Sequence, residues 1–318
     1  MTVTCAVIDD YQHAATRFAD WASLQGQVEL TVFSDHLAAE DDVAARLAGF
    51  DVVVVMRERT PFPASLLARL PRLKLLVTTG ARNASIDLAA ARERGVTVCG
   101  TASNSTPPAE LTWALILGLG RHLVPEATAL RDGGPWQQTI GTDLHGATLG
   151  LLGLGKIGMQ VARVGAAFGM NVLAWSQNLT AERAGAAGAR LAPSLEVLLT
   201  ESDVVSIHLV LSDRTRGLLG AGELALMKPG AYLINTSRAG IVDQAALLDA
   251  LRRQAIAGAG LDVFAEEPLP ADSPFRDLPN VLATPHLGYV TEGNYRTFFP
   301  QVVEDISAFL AGTPIRTL

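Results

Sequence analysis

Apolar and polar positions follow two rhythms along this chain. Short runs dense in Val, Leu and Ile occur at residues 4–8, 28–33, 51–56, 74–77 and 96–98, with Ala-rich stretches of helical spacing between them, such as 41–47 and 86–94. The first rhythm predicts strands and the second amphipathic helices. Val52, Val53, Val54 and Val55 are apolar without interruption, as expected of a strand covered on both faces. Regular alternation of the two predicts a parallel sheet wrapped by helices.

The pattern changes after residue 101. Pro107 and Pro108 can open a helix, and helical spacing continues from Ala109 to about Ala129, where Gly133, Gly134 and Pro135 break it. Trp113, Leu115, Ile116, Leu117 and Leu119 give this helix an apolar girth wider than one stripe, which predicts packing against more than one body and a subunit interface in a homodimer. A second alternating series starts at residue 147, with strands predicted at 148–152, 171–175, 204–208, 231–234, 258–261 and 281–283. Six strands make a full dinucleotide-binding sheet. Residues 289–318 predict a further helix, with Val302, Val303, Ile306, Phe309 and Leu310 on one face. The expected fold class is therefore α/β, two domains each built on a parallel sheet.

Composition narrows the functional classes. A chain of 318 residues has room for two domains, and 49% apolar with 18% charged residues is the make-up of a folded protein. The net charge of −7 with no basic block argues against a nucleic-acid partner, although a local Arg can still attract a small anion. Cys5 and Cys99 match no metal or redox spacing and read as buried thiols, so no metal site is expected. The start of the chain lacks a basic region and carries Asp9 and Asp10, unlike a signal peptide. The apolar stretch at 111–120 falls short of the roughly 20 residues a membrane-spanning helix needs. The expectation is a cytoplasmic protein without a membrane partner.

Candidate chemistry concentrates in the second series. Gly153-Leu154-Gly155-Lys156-Ile157-Gly158 lies between a predicted strand and a predicted helix. There the first glycine makes a tight turn, the second lets backbone amides approach a pyrophosphate, and the third lets helix and strand pack closely. The helix dipole adds a positive end. The next strand ends in Ser176, Gln177 and Asn178, where an NAD-selective site would carry Asp or Glu for the ribose hydroxyls. These residues and the nearby Arg183 can donate to a phosphate, so the cofactor expected is NAD(P), with NADP(H) or dual use favoured. Further along, Arg238, Asp262, Glu267 and His286 follow consecutive predicted strands. The carboxyl ends of strands are where open α/β sheets bind ligands. A guanidinium there can clamp a carboxylate, and an imidazole can move a proton at neutral pH.

Taken together, the cradle at 153–158, the run Met227-Lys-Pro-Gly-Ala-Tyr-Leu-Ile-Asn-Thr-Ser-Arg238, Leu261-Asp-Val-Phe264 with Glu267-Pro268, and Thr284-Pro-His286 resemble the D-2-hydroxyacid dehydrogenase family, and the resemblance spans essentially the whole chain. It implies two Rossmann-like or flavodoxin-like domains with the active site in the cleft between them. Residues 1–101 and 290–318 would form the substrate domain and 102–289 the dinucleotide-binding domain. It implies that Arg238 binds the substrate carboxylate, that His286 is the general acid in reduction, that Glu267 favours the protonated imidazole, and that Asp262 holds the nicotinamide carboxamide. His208, Leu209 and Val210 would line the adenine and ribose side, although a proline is usual where Val210 stands. Thr215, Thr236, Ser237 and Gly288 complete the implied cofactor contacts. Thr79, Gly80 and Ala81 would hold the substrate carboxylate through backbone amides, with Arg82 and Asn83 departing from the small residues usual there.

The activity implied is reduction of a small 2-keto acid, of the glyoxylate or hydroxypyruvate type, to a D-2-hydroxy acid. Phosphoglycerate dehydrogenase is disfavoured because the chain ends at Leu318 with no room for an appended regulatory domain, and one of the short type stays as an alternative. Formate dehydrogenase is disfavoured because that branch carries Gln where Glu267 stands. A nicotinamide-sensing corepressor of the same fold is the alternative of a different class.

Overall fold

The computed structural model describes residues 2–318. The chain divides into two compact units, Met1–Asn104 with Thr291–Leu318, and Ser105–Val290. Each is an α/β body on a parallel sheet.

In the first unit the strands are β1 Val3–Val7, β2 Val28–Val32, β3 Val52–Val55, β4 Leu75–Thr78 and β5 Thr97–Gly100. They pair in the order β2-β1-β3-β4-β5, all parallel. The order reverses direction between β1 and β3, the doubly wound arrangement. The four valines of β3 and the apolar residues of β4 are wholly buried, because helices cover both faces. The helix Glu292–Leu310 returns to this unit. Its buried face is Tyr295, Phe298, Phe299, Val302 and Ile306, so the aromatic first half carries the packing and Val303, Phe309 and Leu310 are only half-buried. The Tyr295 ring meets Phe299 and Phe18 edge-on at 5.7 and 5.9 Å, the geometry aromatic quadrupoles favour.

The second unit has seven strands: β6 Thr148–Leu152, β7 Asn171–Trp175, β8 Arg190–Leu191, β9 Val204–Ile207, β10 Tyr232–Asn235, β11 Gly258–Leu261 and β12 Val281–Ala283. Their order is β12-β11-β10-β9-β6-β7-β8, again all parallel. The sequence pattern predicts six. The extra strand, β8, is an edge of two residues and too short to leave a period.

The long helix predicted at 109–129 is two helices. Thr106–Gly120 ends at Arg121, His122 takes the left-handed conformation with φ +50°, and Leu123–Arg131 starts in a new direction. A left-handed residue cannot continue a right-handed helix. Thr106–Gly120 buries Trp113, Leu115, Ile116 and Leu119 within its own unit, against β10, β11 and the helix Lys156–Ala167. Exposed apolar surface lies instead on Leu123–Arg131, which buries none of its residues, and on Trp136 and Ile140 beyond it. Cys5 and Cys99 are buried free thiols. Among the described residues no helix is long and apolar enough to cross a membrane.

Candidate active site

Strand register brings the chemistry of the second unit to one edge. Leu152 pairs with Ile207, Ile207 with Asn235, Asn235 with Leu261, and Leu261 with Ala283. The loops that follow those residues carry Gly153–Gly158, His208, Arg238, Asp262 and His286. The sheet's switch point falls between β6 and β9, where a ligand crevice is expected.

The cradle fits a dinucleotide's phosphates. Gly153 sits at φ +99°, and a Cβ there would meet the His208 carbonyl oxygen at 2.7 Å. A Cβ on Gly158 would come 2.3 Å from the Gly153 carbonyl, so the helix can start this close to the turn only without a side chain. Gly155 differs: nothing lies within 4 Å of where its Cβ would be. Gly155 is also the N-cap of Lys156–Ala167 and leaves the first-turn amides without a side-chain cap. Uncapped amides beside open space, at the positive end of a helix, form an anion site. On the next strand end, Ser176 is half-buried and Gln177 and Asn178 are exposed. No carboxylate stands among these three residues.

At the far strands the acid–base pair is assembled. His286 Nδ1 lies 2.6 Å from Glu267 Oε2, and Glu267 Oε1 accepts the Phe264 amide at 2.8 Å. The Glu267-Pro268 peptide is cis. Burial is the largest influence on the Glu267 carboxyl and raises its pKa. The hydrogen bond and charge of His286, the Phe264 amide and the charge of Arg238 together outweigh it, holding the group below its ordinary value. With Nδ1 engaged, Nε2 is the imidazole atom left to address a ligand, and it has no partner among the described residues. His286 holds a left-handed backbone, φ +52°, and its ring meets the edge of the buried Tyr289 ring at 5.6 Å.

Asp262 explains how His286 can occupy so uncommon a conformation. It is wholly buried and accepts from Thr284 Oγ1 at 2.6 Å, the Leu287 amide at 2.7 Å and the Gly288 amide at 2.8 Å. Three anchors on both sides of His286 fix its loop. Burial raises the Asp262 pKa, and these bonds with the charge of His286 only partly offset it. Sequence reasoning placed Asp262 at the nicotinamide; its contacts here are to the histidine loop. Thr284 and Phe264 stand in the sequence motifs without an assigned role, and Tyr289 was not picked out from sequence.

Arg238 follows an Asx turn: Asn235 Oδ1 accepts the Ser237 amide at 3.0 Å, and Asn235 Nδ2 donates to the Arg238 carbonyl at 3.1 Å. Ser237 Oγ donates to the Leu209 carbonyl at 2.5 Å, joining this turn to the loop after β9. Thr236 Oγ1 meets Thr112 Oγ1 at 2.8 Å. The His208 ring rests 3.0 Å from Ser206 Oγ, and burial pushes its pKa down to about 4, so it is neutral at pH 7. Thr215 Oγ1 donates to the Val210 carbonyl at 2.7 Å, which folds the exposed Val210 loop without its usual proline.

The residues expected at the substrate carboxylate follow β4 in the first unit. Thr79 and Gly80 are buried, Ala81 and Arg82 exposed. The Gly80 amide donates to Thr101 Oγ1 at 2.8 Å. The amides of Ala81 and Arg82 have no partner among the described residues. Asn83 staples the loop: its Nδ2 donates to the Arg57 carbonyl at 2.6 Å and to Thr78 Oγ1 at 3.0 Å.

Residues 113–288 match the D-isomer specific 2-hydroxyacid dehydrogenase NAD binding domain. The chain belongs to the D-isomer specific 2-hydroxyacid dehydrogenase family. A glyoxylate reductase from Aeropyrum pernix is 41% identical over 256 residues, 78% of this chain and 76% of that protein. A D-3-phosphoglycerate dehydrogenase from Methanocaldococcus jannaschii is 36% identical over 86% of this chain but 52% of its own length, so the chain spans about half of that relative. A crystal structure of a phosphoglycerate oxidoreductase from Vibrio cholerae superposes with a TM-score of 0.92 at 38% identity, covering 98% of this chain and 100% of that one. The NAD-binding domain of the 2-hydroxyacid dehydrogenases thus covers the glycine cradle, Arg238, Asp262, Glu267 and His286.

Proposed function

We propose that this protein reduces a small 2-keto acid to the D-2-hydroxy acid, and that glyoxylate or hydroxypyruvate is its substrate type. The observation that carries this is the His286–Glu267 pair, with Nδ1 held at 2.6 Å and the charge of Arg238 acting on the same carboxylate. When bound, NAD(P)H supplies a hydride for carbon 2. His286 Nε2 gives its proton to the 2-oxygen as negative charge develops there, and in the reverse direction takes it back. Glu267 stabilises the imidazolium until that proton leaves. Arg238 binds the carboxylate as a planar fork and polarises the keto oxygen. The first-unit loop Thr79-Gly80-Ala81 would hold the keto acid through the Ala81 amide and the adjoining Arg82 amide, because the Thr79 amide is given to the Val55 carbonyl and the Gly80 amide to Thr101 Oγ1. Gly153 to Gly158 hold the pyrophosphate, with His208, Leu209, Val210 and Thr215 toward the adenine and ribose.

The family supports NAD(H) use. We further propose that NADP(H) is accepted, because Ser176, Gln177 and Asn178 offer donors and no carboxylate to repel a 2′-phosphate. A second copy of the chain is the proposed partner, covering Leu123, Val124 and Leu130, each more than half exposed. The cytoplasm is the proposed setting, where the free thiols need no disulfide partner.

The decisive assay follows NADH and NADPH oxidation with a panel of 2-keto acids that includes 3-phosphohydroxypyruvate. Turnover on glyoxylate or hydroxypyruvate is expected. Exclusive turnover of the phosphorylated acid would replace the substrate assignment with that of a phosphoglycerate dehydrogenase. Cofactor binding without turnover on any acid would overturn the enzyme reading in favour of a nicotinamide sensor.

A further inference from the structure

In the first unit, residues 316–318 run antiparallel along the outer side of β5. The Leu318 amide donates to the Val98 carbonyl at 2.9 Å, the Gly100 amide donates to the Arg316 carbonyl at 3.0 Å, and Cys99 bridges Thr317. An edge strand that would otherwise present unpaired backbone groups is covered.

Arg316 is the clasp. Its Nε donates to Asp305 Oδ1 at 2.9 Å, its Nη2 to the Gln301 carbonyl at 2.9 Å, and its Nη1 lies 2.9 Å from Glu304 Oε2. Asp305 is wholly buried, and its other oxygen, Oδ2, has no partner. Burial pushes the Asp305 carboxyl up to about 6 even though Arg316 works against it, with Glu304 adding to the rise and Cys99 close by. Arg316 also holds a left-handed backbone, φ +50°. A side chain with this many fixed contacts does more than decorate a surface.

The same bonds lead to the loop after β4. The Gly80 amide donates to Thr101 Oγ1 at 2.8 Å, and the Thr101 amide donates to the Thr78 carbonyl at 3.2 Å. The Ala102 amide donates to Gln301 Oε1 at 2.7 Å, and Gln301 is a residue Arg316 grips. Gly100 closes the stack: a Cβ there would stand 2.7 Å from the Gly80 carbonyl oxygen and 3.3 Å from Leu318 Cδ1. Two routes therefore run from Arg316 to Gly80, one along the backbone of β5 and one through Gln301, Ala102 and Thr101.

We propose that Arg316 and Thr101 are positioning residues for the keto acid: the clasped segment is a back-plate that fixes Gly80, and Gly80 in turn sets the amides of Ala81 and Arg82 that grip the substrate carboxylate. This rests on the proposed role of the Thr79–Ala81 loop in binding the substrate.

Thr101→Val, Thr101→Ser, Arg316→Ala and Arg316→Lys are compared in full kinetics at saturating cofactor, with Gly80→Ala as the control for the loop itself. Thr101→Val removes the acceptor of the Gly80 amide together with the hydroxyl's own bond to the Ala102 carbonyl at 3.1 Å, and leaves the bonds of Arg316 intact. A rise of about tenfold in KM for the keto acid is expected, the usual worth of one such bond, with kcat changed less than threefold. The Kd for the cofactor, whose cradle lies in the other unit, should not move. Thr101→Ser, which restores the hydroxyl, should return KM to near the parent value. Arg316→Ala should raise KM as Thr101→Val does and also lower Tm; Arg316→Lys should recover only part of both. A lowered Tm in Arg316→Ala with KM unmoved in both it and Thr101→Val would overturn the proposal, leaving the clasp purely structural. Gly80→Ala, strained at φ +97° and crowded by the Arg57 guanidinium, separates the two levels. If it raises KM while Thr101→Val and Arg316→Ala do not, the positioning role alone fails. If it too leaves KM unchanged, the substrate role of the loop fails, and the proposal with it.

Discussion

Replacing Glu267 with Gln tests whether the carboxylate holds the proton on His286 or merely holds the ring. The bond is short, 2.6 Å from Nδ1 to Oε2. A hydrogen bond with an ionised partner contributes about 1.5–3 kcal/mol. The two side chains are 25% and 33% exposed, so solvent screening places the pair at the low end of that range. At 1.36 kcal/mol per pH unit, the reduction limb of kcat/KM that falls at high pH should shift toward lower pH by about one unit. Gln can keep its carbonyl on the Phe264 amide, but then it turns an NH2 toward Nδ1 and disfavours a second proton on the ring. At a pH above the limb, reduction should therefore slow by about tenfold, while at low pH the deficit narrows. Hydroxy acid oxidation needs Nε2 free of its proton, and an NH2 donating to Nδ1 keeps the neutral ring protonated at Nε2, so oxidation should fall across the whole pH range. The measurement is kcat/KM against pH in both directions, with cofactor Kd as a check on folding. A uniform loss of reduction at every pH, with its limb stationary, would show that Glu267 orients the ring without supporting its charge.

Arg238→Lys should lower kcat/KM by about tenfold or more despite the retained charge, because an ammonium cannot make the two parallel bonds of the planar fork; steady-state kinetics within twofold of the parent would reject the clamp. Gly155→Val should leave thermal stability nearly intact, since a Cβ there meets nothing within 4 Å, yet weaken dinucleotide binding by filling the open space, whereas Gly158→Ala should lower Tm because its Cβ would stand 2.3 Å from the Gly153 carbonyl. Melting curves and cofactor titrations of both variants decide, and the reverse pattern would refute the phosphate cradle. Ser176→Asp should shift the NADP(H)-to-NAD(H) ratio of kcat/KM toward NAD(H) by supplying an acceptor for the 2′-hydroxyl and a charge against a 2′-phosphate; an unaltered ratio means the β7 end does not read the ribose. His208 titrates near 4 in the fold, against an ordinary 6.5. Its neutral burial supports stability above pH 6.5, and that support is lost as pH falls toward 4, by about 3 kcal/mol at most. His208→Asn should flatten this part of the denaturant-stability profile, and an unchanged slope would contradict a buried neutral ring.

What could be read from the chain was what repeats locally. Val52–Val55 announces a strand covered on both faces because four consecutive apolar residues have no solvent side. Gly153, Gly155 and Gly158 announce the cradle because their spacing is itself the geometry of a strand–turn–helix. What could not be read depends on where the backbone turns or on partners distant in sequence. Gly118, Gly120 and Pro125 flank the break, but the left-handed residue itself is His122, and apolar periodicity alone runs the two helices together. β8 exists only because two residues happen to pair with β7 at the sheet edge. The bonds from Thr284, Leu287 and Gly288 to Asp262 join residues 22 to 26 positions away, and no local pattern announces them. Asn83 departs from the small residues usual in its loop, and that its amide pins Arg57 and Thr78 shows only in the fold. In both instances a polar side chain near the chemistry is anchored to backbone and neighbouring hydroxyls; the Asp262 bonds are the ones that fix the loop in which His286 holds φ +52°. Residues that fix a loop's conformation carry the same polar side chains as residues that touch ligand, so composition and spacing alone cannot separate the two. Both carboxylates have both oxygens engaged, and they differ in what they hold: Glu267 meets the Phe264 amide and the imidazole itself, while Asp262 meets Thr284, Leu287 and Gly288 of the loop that presents it.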